Sequence, residues 1–296
     1  MAKHQHIVLF DGNNIYRRMH GGMKTVGDDE SEERAYSAMN ATQEKIFKIT
    51  NELSSTHCCV FFDGEDPTWR SEVLPEYKFD KSTGAPKQKP QAMVDAIRLC
   101  QSNISQTGIK TSRIENHEAD DSIATIANIL RDKPNTLVTI VSTDKDFNPL
   151  VYGNVRQYHP FDKISMDEDY VKEKRGCSRQ TYMELLTMSG DASDNIPGVP
   201  GVGDKRGLKL LKEYGDLDTL ILCSEAIGGK AGEWITDNPD KVRDYRKLID
   251  LSSINVELGF SLREMRTPEK FRNKGPSSPQ QGQKKDLHRG GFSYGY

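Results

Sequence analysis

Three short apolar runs in this chain end on acid. Residues 6–10 lead into Asp11 (L-F-D-G-N-N), residues 58–62 into Asp63 (F-F-D-G), and residues 137–142 into Asp144 and Asp146 (S-T-D-K-D). The runs are continuous in hydrophobicity and rich in β-branched and aromatic residues, which suits strands covered on both faces. Helical stretches lie between them. In residues 119–131, Ala119, Ile123, Ile126, Ala127 and Leu130 mark one helix face. Strand alternating with helix predicts an α/β fold with a parallel sheet. In such a sheet the C-terminal strand ends meet at one crevice, where ligands bind. The sequence therefore predicts four aspartates in that crevice.

The pattern turns helical near Cys177, with helices predicted at 179–189, 204–214 and near 240–251. Between the first two sits I-P-G-V-P-G-V-G (196–203), too rich in Pro and Gly for a helix or strand interior. From Arg272 to Tyr296 the composition shifts to Gly, Ser, Gln, Pro and basic residues, with Leu287 the only aliphatic. That composition predicts a disordered basic tail. The chain thus divides into an α/β domain at 1–176, a helical region at 177–271 and a tail at 272–296. There is no internal repeat. With 41 Lys and Arg against 44 Asp and Glu, the net charge is −3. This argues against bulk attraction to nucleic acid but leaves room for a local basic channel. The five cysteines lack a C-x-x-C pair and read as reduced thiols, not as a disulfide frame or a zinc site. No apolar run is long enough to span a membrane and no signal peptide is evident, so the expected location is the cytoplasm.

More acids join the strand-end set. Glu118, Asp120 and Asp121 (H-E-A-D-D) open the helix predicted at 119–131, and Asp191 and Asp194 (G-D-A-S-D-N) follow the helix at 179–189. Each has a bland alternative: D-G is a common turn, and acids at a helix N-terminus answer its dipole. Those alternatives give no reason for every strand end to carry the same charge. Converging carboxylates raise one another's pKa and ionise together only if cations are present. Oxygen ligands without His or Cys select Mg2+ or Mn2+. Nine candidates exceed the inner-shell needs of two such ions, so some would hold waters instead. Paired ions about 4 Å apart serve phosphoryl transfer to water.

Two elements suit phosphate contact. Gly198, Gly201 and Gly203 would let backbone N–H groups approach a phosphate, and Lys205, Arg206, Lys209 and Lys212 follow on the next helix. A solvated charged face is the plain alternative. A second basic stretch runs from Arg70 through Lys78, Lys81, Lys87 and Lys89, interrupted by Tyr77 and Phe79. It reads as a lid over the crevice, with aromatics able to stack on an unpaired base, or else as a simple surface loop.

In their order along the chain, F-D-G-N-N, F-D-G with W-R-S-E-V-L-P-E-Y-K, E-A-D-D, S-T-D-K-D and G-D-A-S-D-N-I-P-G-V-P-G-V-G resemble the 5′-nuclease family of flap endonucleases and 5′–3′ exonucleases. That family includes the N-terminal domain of bacterial DNA polymerase I and stand-alone bacteriophage enzymes, the latter being the kind this chain resembles. The resemblance implies a PIN-like parallel-sheet nuclease domain with a helical arch at about 74–106. It also implies a helix-hairpin-helix-type clamp at 196–203, with K+ there in some members. Two Mg2+ or Mn2+ ions would be held by the nine carboxylates. Asp11, Asp63, Glu118, Asp120 and Asp121 would form the tighter site with Asp144 and Asp146 alongside, and Asp191 and Asp194 would serve the second ion. Lys78 matches the arch lysine that faces the scissile phosphate. Lys81 stands where the family often has Arg, and loses the bidentate contact that Arg would make. Arg70, Tyr77, Gly198, Gly201, Gly203, Lys205, Arg206 and Lys209 would contact DNA. The implied activity is two-metal hydrolysis of DNA at 5′ flaps, nicks or free 5′ ends, RNA–DNA hybrids included, in primer or flap removal by a monomer whose tail meets a replication partner. A non-catalytic junction-binding protein should have lost carboxylates that are all present here. A PIN-type ribonuclease usually lacks the glycine hairpin and the basic arch.

Overall fold

The computed structural model describes residues 4–28, 31–65 and 68–272 of the chain. Of the tail at 272–296, all but Arg272 lies outside the described residues. In chain order the first half contains β1 (Gln5–Asp11), α1 (Gly12–Gly22), α2 (Glu32–Glu52), β2 (His57–Phe62), α3 (Trp69–Val73) and the two-residue strands β3 (Phe79–Asp80) and β4 (Ala85–Pro86). Then follow α4 (Gln91–Gln106), β5 (Lys110–Arg113), α5 (Ala119–Leu130), β6 (Thr136–Val141), β7 (Val155–His159) and β8 (Ile164–Met166).

Six strands form one sheet in the order β5-β2-β1-β6-β7-β8, parallel throughout except for β8, which runs antiparallel to β7. The three strands predicted from apolar runs are its centre. Their period of two sends alternate side chains to opposite faces. Val8, Phe10, Cys58, Val60 and Phe62 pack with Ile46 and Ile49 of α2 and Ile97 and Cys100 of α4. Ile7, Leu9, Cys59, Phe61 and Ile140 pack on the other face with Ile123 and Ala127 of α5. Both faces are dry, which is why the runs are continuously apolar. Ser142, predicted to end the third strand, lies just past β6, where its side chain serves the crevice.

The helical region comprises α6 (Glu168–Arg175), α7 (Arg179–Ser189), α8 (Asp204–Tyr214), α9 (Leu217–Leu222), α10 (Ser224–Ile227), α11 (Gly229–Asp237) and α12 (Pro239–Ile249). Caps set their starts: the Ser178 hydroxyl accepts from Thr181 N at 3.1 Å and Asp216 from Thr219 N at 2.7 Å. A separate core of Leu185, Met188, Leu211, Leu220, Val242 and Leu248 holds these helices together. The chain then returns to the sheet. Thr267 N donates to Thr56 O at 3.0 Å and Phe271 stacks on Phe47 at 5.0 Å, so the described chain ends beside the start of β2, at the sheet end opposite the crevice. No helix among the described residues is long and apolar enough to cross a membrane.

The structure corrects two expectations here. The stretch expected as a helical arch is helical only in α4, whose Ala96, Ile97, Cys100 and Ile104 are core residues one helical face apart. The part between Lys78 and Pro90 is the short β3–β4 hairpin and its flanks. Gly198, expected to approach DNA, is buried and serves the turn itself. Gly190 (φ +74°) and Gly198 (φ +67°) lie face to face, and Asp191 and Ile196 exchange backbone hydrogen bonds at 2.8 and 2.9 Å. A Cβ on Gly190 would stand 2.4 Å from Ile196 O, and one on Gly198 2.5 Å from Gly190 N.

Gly190→Ala should therefore destabilise the protein by at least about 1–3 kcal/mol, the usual cost of a glycine-only backbone conformation before any clash is added. Urea unfolding checks this. A loss under about 0.5 kcal/mol, the range of a neutral surface change, would show that the turn repacks freely.

Candidate active site

Adjacent parallel strands set the first acids side by side. Asp11 ends β1 and caps α1, its Oδ1 accepting from Asn14 N at 2.9 Å and its Oδ2 from Ser142 Oγ at 2.8 Å. Asp63 follows β2. Its Oδ1 accepts from Ala119 N at 3.2 Å, and its Oδ2 accepts from Asn13 Nδ2 and faces Arg17 Nη2 at 3.3 Å. Asp144 follows β6 and accepts from Asp146 N at 3.0 Å at the start of a 3-10 turn. Asn14 Oδ1 joins the third strand end, accepting from Thr143 N at 3.0 Å.

The helical region closes the other side. One cleft is lined jointly by Glu118, Asp120, Asp146, Asp191 and Asp194. Asp191 is paired with Lys145 at 3.1 Å and accepts from Ser193 N at 2.7 Å. The basic excursion is pinned across this junction. Lys78 N donates to Asp194 O at 2.9 Å, Lys78 Nζ lies 2.8 Å from Glu118 Oε2, and Lys87 Nζ donates to Ser193 O at 2.7 Å.

Crowding separates the acids by charge. Burial, aided by Asp63 and Asp144, pushes the Asp11 carboxyl up to about 7 against the hydrogen bonds it accepts. Burial and the neighbouring Asp11, Asp144, Glu118 and Asp63 raise Asp120 well above the usual carboxylate range. Burial and Asp144 bring Asp146 to about 7, and burial, Asp194 and Asp191 raise Asp144. Two acids go the other way. Burial alone would raise Asp63, but Arg17, Lys78 and Lys89 override it. Burial would likewise raise Asp191, but Ser193 and Lys145 hold it down.

Three of the site residues expected from sequence have other duties. Asp121 is fully buried. Its Oδ1 takes Arg70 Nη2 at 2.7 Å, and its Oδ2 takes Arg70 Nη1, Trp69 Nε1 and Glu118 N, each at 3.0 Å. Both oxygens are engaged inside the fold and the side chain is out of solvent, so Asp121 serves the N-terminus of α5, as the bland alternative had it, and not a metal ion. Arg70 is 3% exposed and cannot touch DNA; it fastens α3 to α5. Tyr77 is 6% exposed and cannot stack on a base; its hydroxyl donates to Asp194 Oδ2 at 3.0 Å and to Glu118 Oε2 at 3.3 Å. Lys81 is exposed in the β3–β4 turn. Gly201, Gly203, Lys205, Arg206 and Lys209 are all exposed around the start of α8. Sequence reasoning missed Arg17, Asn13, Ser142 and Lys145. Asn13 and Arg17 were findable as a polar i, i+4 pair that shares one face of the helix starting at Asp11.

Among the described residues no three His, Cys, Asp or Glu side chains already form a cage for one ion. The donor set nonetheless suits a hard cation. It is all oxygen, and burial makes several members hold protons that a divalent cation would displace. Mg2+ keeps several of its own waters, so widely set carboxylates can bind it through them.

Residues 6–176 match a family model described as the 5′-3′ exonuclease N-terminal resolvase-like domain, and residues 177–273 one described as the 5′-3′ exonuclease C-terminal SAM fold. A protein named flap endonuclease Xni from Pseudoalteromonas translucida is 30% identical over 261 residues, covering 88% of this chain and 98% of the relative. Its namesake from Colwellia psychrerythraea is 28% identical over 273 residues, covering 88% and 91%. Among solved structures, a pseudo-enzyme-product complex of a bacteriophage T5 flap endonuclease with DNA and metal ions has the same fold. It superposes with a TM-score of 0.69 at 21% identity over 84% of this chain and 90% of that one.

Two outcomes follow from the charge pattern. Without divalent cations, Asp121→Asn should cost about 1–3 kcal/mol, because the buried Arg70 exchanges its close carboxylate partner for Glu118 at 3.8 Å, whereas Asp120→Asn should leave stability unchanged or raise it by removing a crowded charge. Denaturation in EDTA compares them, and equal losses would contradict the assignment. The second concerns pH. Asp11 and Asp146 titrate near 7 in the fold against an ordinary 3.8, so the folded protein keeps protons that the unfolded chain has lost. The metal-free protein should therefore lose stability as pH rises from about 4 to about 7 through these two groups. A divalent cation binds the ionised forms, so the rise in Tm on adding Mg2+ should be larger at pH 8 than at pH 6. Equal shifts would mean that these carboxyls do not exchange protons for the cation.

Proposed function

The chain belongs to the 5′–3′ exonuclease family, and from that premise we propose that it hydrolyses DNA as a 5′–3′ exonuclease and flap endonuclease with two divalent cations, Mg2+ or Mn2+, in the strand-end crevice. The observation that carries this reading is the convergence of Asp11, Asp63 and Asp144 at adjacent strand ends with Glu118, Asp120, Asp146, Asp191 and Asp194 around them. Asp11, Asp63, Glu118, Asp120, Asp144 and Asp146 would hold one ion. Asp191 and Asp194 would serve the other, from the helical region. Such ions, when bound, activate water and stabilise the leaving oxygen.

The chain's own residues supply the rest. Asn13 and Arg17 fix Asp63, and Ser142 fixes Asp11, so these carboxylates are oriented before substrate arrives. Tyr77 holds Glu118 and Asp194 in one frame. Lys78 is the cation nearest Glu118, with 31% of its side chain exposed. Burial would lower its pKa, but Glu118, Asp194 and Asp63 raise it, so it stays charged. Facing the scissile phosphate, it would offset charge that grows in the transition state. Lys81, at the hairpin tip, would serve as a docking charge. Gly201, Gly203, Lys205, Arg206 and Lys209 would bind the duplex backbone through the α7–α8 hairpin without reading sequence. Arg206 Nη1 donates to Gly201 O at 3.3 Å, a carbonyl of the same turn, and K+ there would be held by the turn's backbone carbonyls. The enzyme would act as a monomer on flaps, nicks and free 5′ ends, with a replication partner reached through the tail at 272–296.

Cleavage of a 5′ flap should stop in excess EDTA and return with Mg2+. Under single turnover with enzyme in excess, Lys78→Ala should cut at least about tenfold more slowly, while flap affinity changes only a few-fold. Normal chemistry with weak binding in Lys78→Ala would make this lysine a docking charge; full cleavage in EDTA would overturn the metal reading.

A further inference from the structure

The oxygens of Asp191 and Asp194, the acids that the helical region brings to the crevice, are engaged in different ways. Asp191 Oδ1 accepts from Ser193 N and from Ser193 Oγ, which fix the side chain within its own turn. Asp194 Oδ2 accepts from the Tyr77 hydroxyl at 3.0 Å. Asp191 Oδ2 is held by a cation instead, with Lys145 Nζ 3.1 Å away. The difference matters for a metal. A carboxylate oxygen can keep a neutral donor on one lone pair and still take a cation on the other. It cannot keep an ammonium as cheaply, because two cations a few ångströms apart repel.

Lys145 is also the crevice cation best placed to yield. Arg70 is buried and forks onto Asp121, and Lys78 is anchored to Asp194 through its backbone. Lys145 holds Asp191 through one side-chain contact, and its side chain is 45% exposed. It opens the 3-10 turn between Asp144 and Asp146, so the ammonium can turn to solvent while the backbone that carries those two acids stays in place. Burial would lower its pKa, but Asp191 and Asp146 raise it, so the charge is a fixed one.

We propose that Lys145 is a positioning residue with two opposed effects. In the metal-free protein its ammonium holds Asp191 Oδ2, and it must leave that oxygen when the second divalent cation binds, so it weakens the affinity for that ion. The assignment rests on the two-cation reading above. Without metal, Lys145 compensates a carboxylate that is buried where the helical region meets the sheet domain. With metal, it becomes a tethered competitor. Because Ser193 holds Oδ1 independently, Asp191 stays oriented after the ammonium has gone.

The test counts Mn2+ on the full chain without DNA, by calorimetry and by the electron paramagnetic resonance of free Mn2+. The unaltered protein should bind two Mn2+ in separable steps, and Asp191→Asn should weaken the weaker one, which assigns that step to Asp191. Lys145→Met should tighten the same step at least about fivefold, the scale of one partly exposed ion pair, with the tighter step changed less than about twofold. Lys145→Arg keeps the charge and should stay near the unaltered value. In EDTA, Lys145→Met should melt at a lower temperature than the unaltered protein, and saturating Mn2+ should close that gap. If Lys145→Met melts too early to titrate, Lys145→Gln decides the matter: its neutral amide can still donate to Asp191, and it should tighten the weaker step as well. Equal tightening of both steps would mean that Lys145 acts through the general field of the crevice, and would overturn competition for Asp191. An unchanged weaker step in Lys145→Met and Lys145→Gln would overturn it too, while leaving the two-cation reading intact. A single Mn2+ bound at saturation in every variant would overturn that reading and this assignment together.

Discussion

Carboxylates crowded into one crevice repel, and a fold that gathers them must supply the opposite charge from somewhere. This chain uses two sources, and the division organises the site. Fixed cations neutralise one group: Arg17 at Asp63, Lys78 at Glu118, Arg70 at Asp121 and Lys145 at Asp191. Protons neutralise the other, since burial drives Asp11, Asp120 and Asp146 well above the ordinary carboxylate range. Acids locked to a cation hold the walls of the crevice in place. Acids that keep protons are those whose charge a bound divalent ion would release.

The crevice also depends on contact between two separately packed cores. Arg70 spans the boundary, binding Asp121 of α5 with both terminal nitrogens and donating from Nε to Leu248 O of α12 at 3.4 Å. Tyr77 is buried within the helical core yet bonds Glu118 of the sheet domain. Next to it, Lys78 has φ +56°, a left-handed conformation that costs a residue with a Cβ about 1–2 kcal/mol. Its backbone bond to Asp194 and its ion pair with Glu118 hold it there. The same conformation aims its ammonium back at the carboxylates. Strain, the two cores and the site charge therefore meet within two consecutive residues.

Much of this was legible in order along the chain. Strands buried on both faces must be continuously apolar, so three of them could be located, and an acid at the end of each had to enter one crevice. Helices α7 and α8 were equally plain, because Ser178 and Gly203 mark their starts and Gly190 and Gly215 their ends. The resemblance of the motifs named the activity class. What stayed hidden was the part played by residues whose partners lie far away in sequence. Arg70 and Tyr77 stand in a basic, aromatic stretch and read as nucleic-acid contacts, yet both are buried because the stretch folds back between the two cores.

Asp120 and Asp121 show the dividing line most sharply. As neighbours in E-A-D-D they carry the same charge and the same helix-terminal position, and nothing local tells them apart. One residue along a helix turns the side chain by about 100°. That turn points Asp121 at Arg70, 51 positions away in sequence, and leaves Asp120 among the other acids. The sequence by itself determined the sheet, the strand-end acids and the glycine turn, because these follow from local burial patterns and backbone conformations. Which acid is tied to a buried cation and which remains available was decided only by tertiary structure, because a carboxylate's role depends on the charge that packing brings within about 3 Å of it.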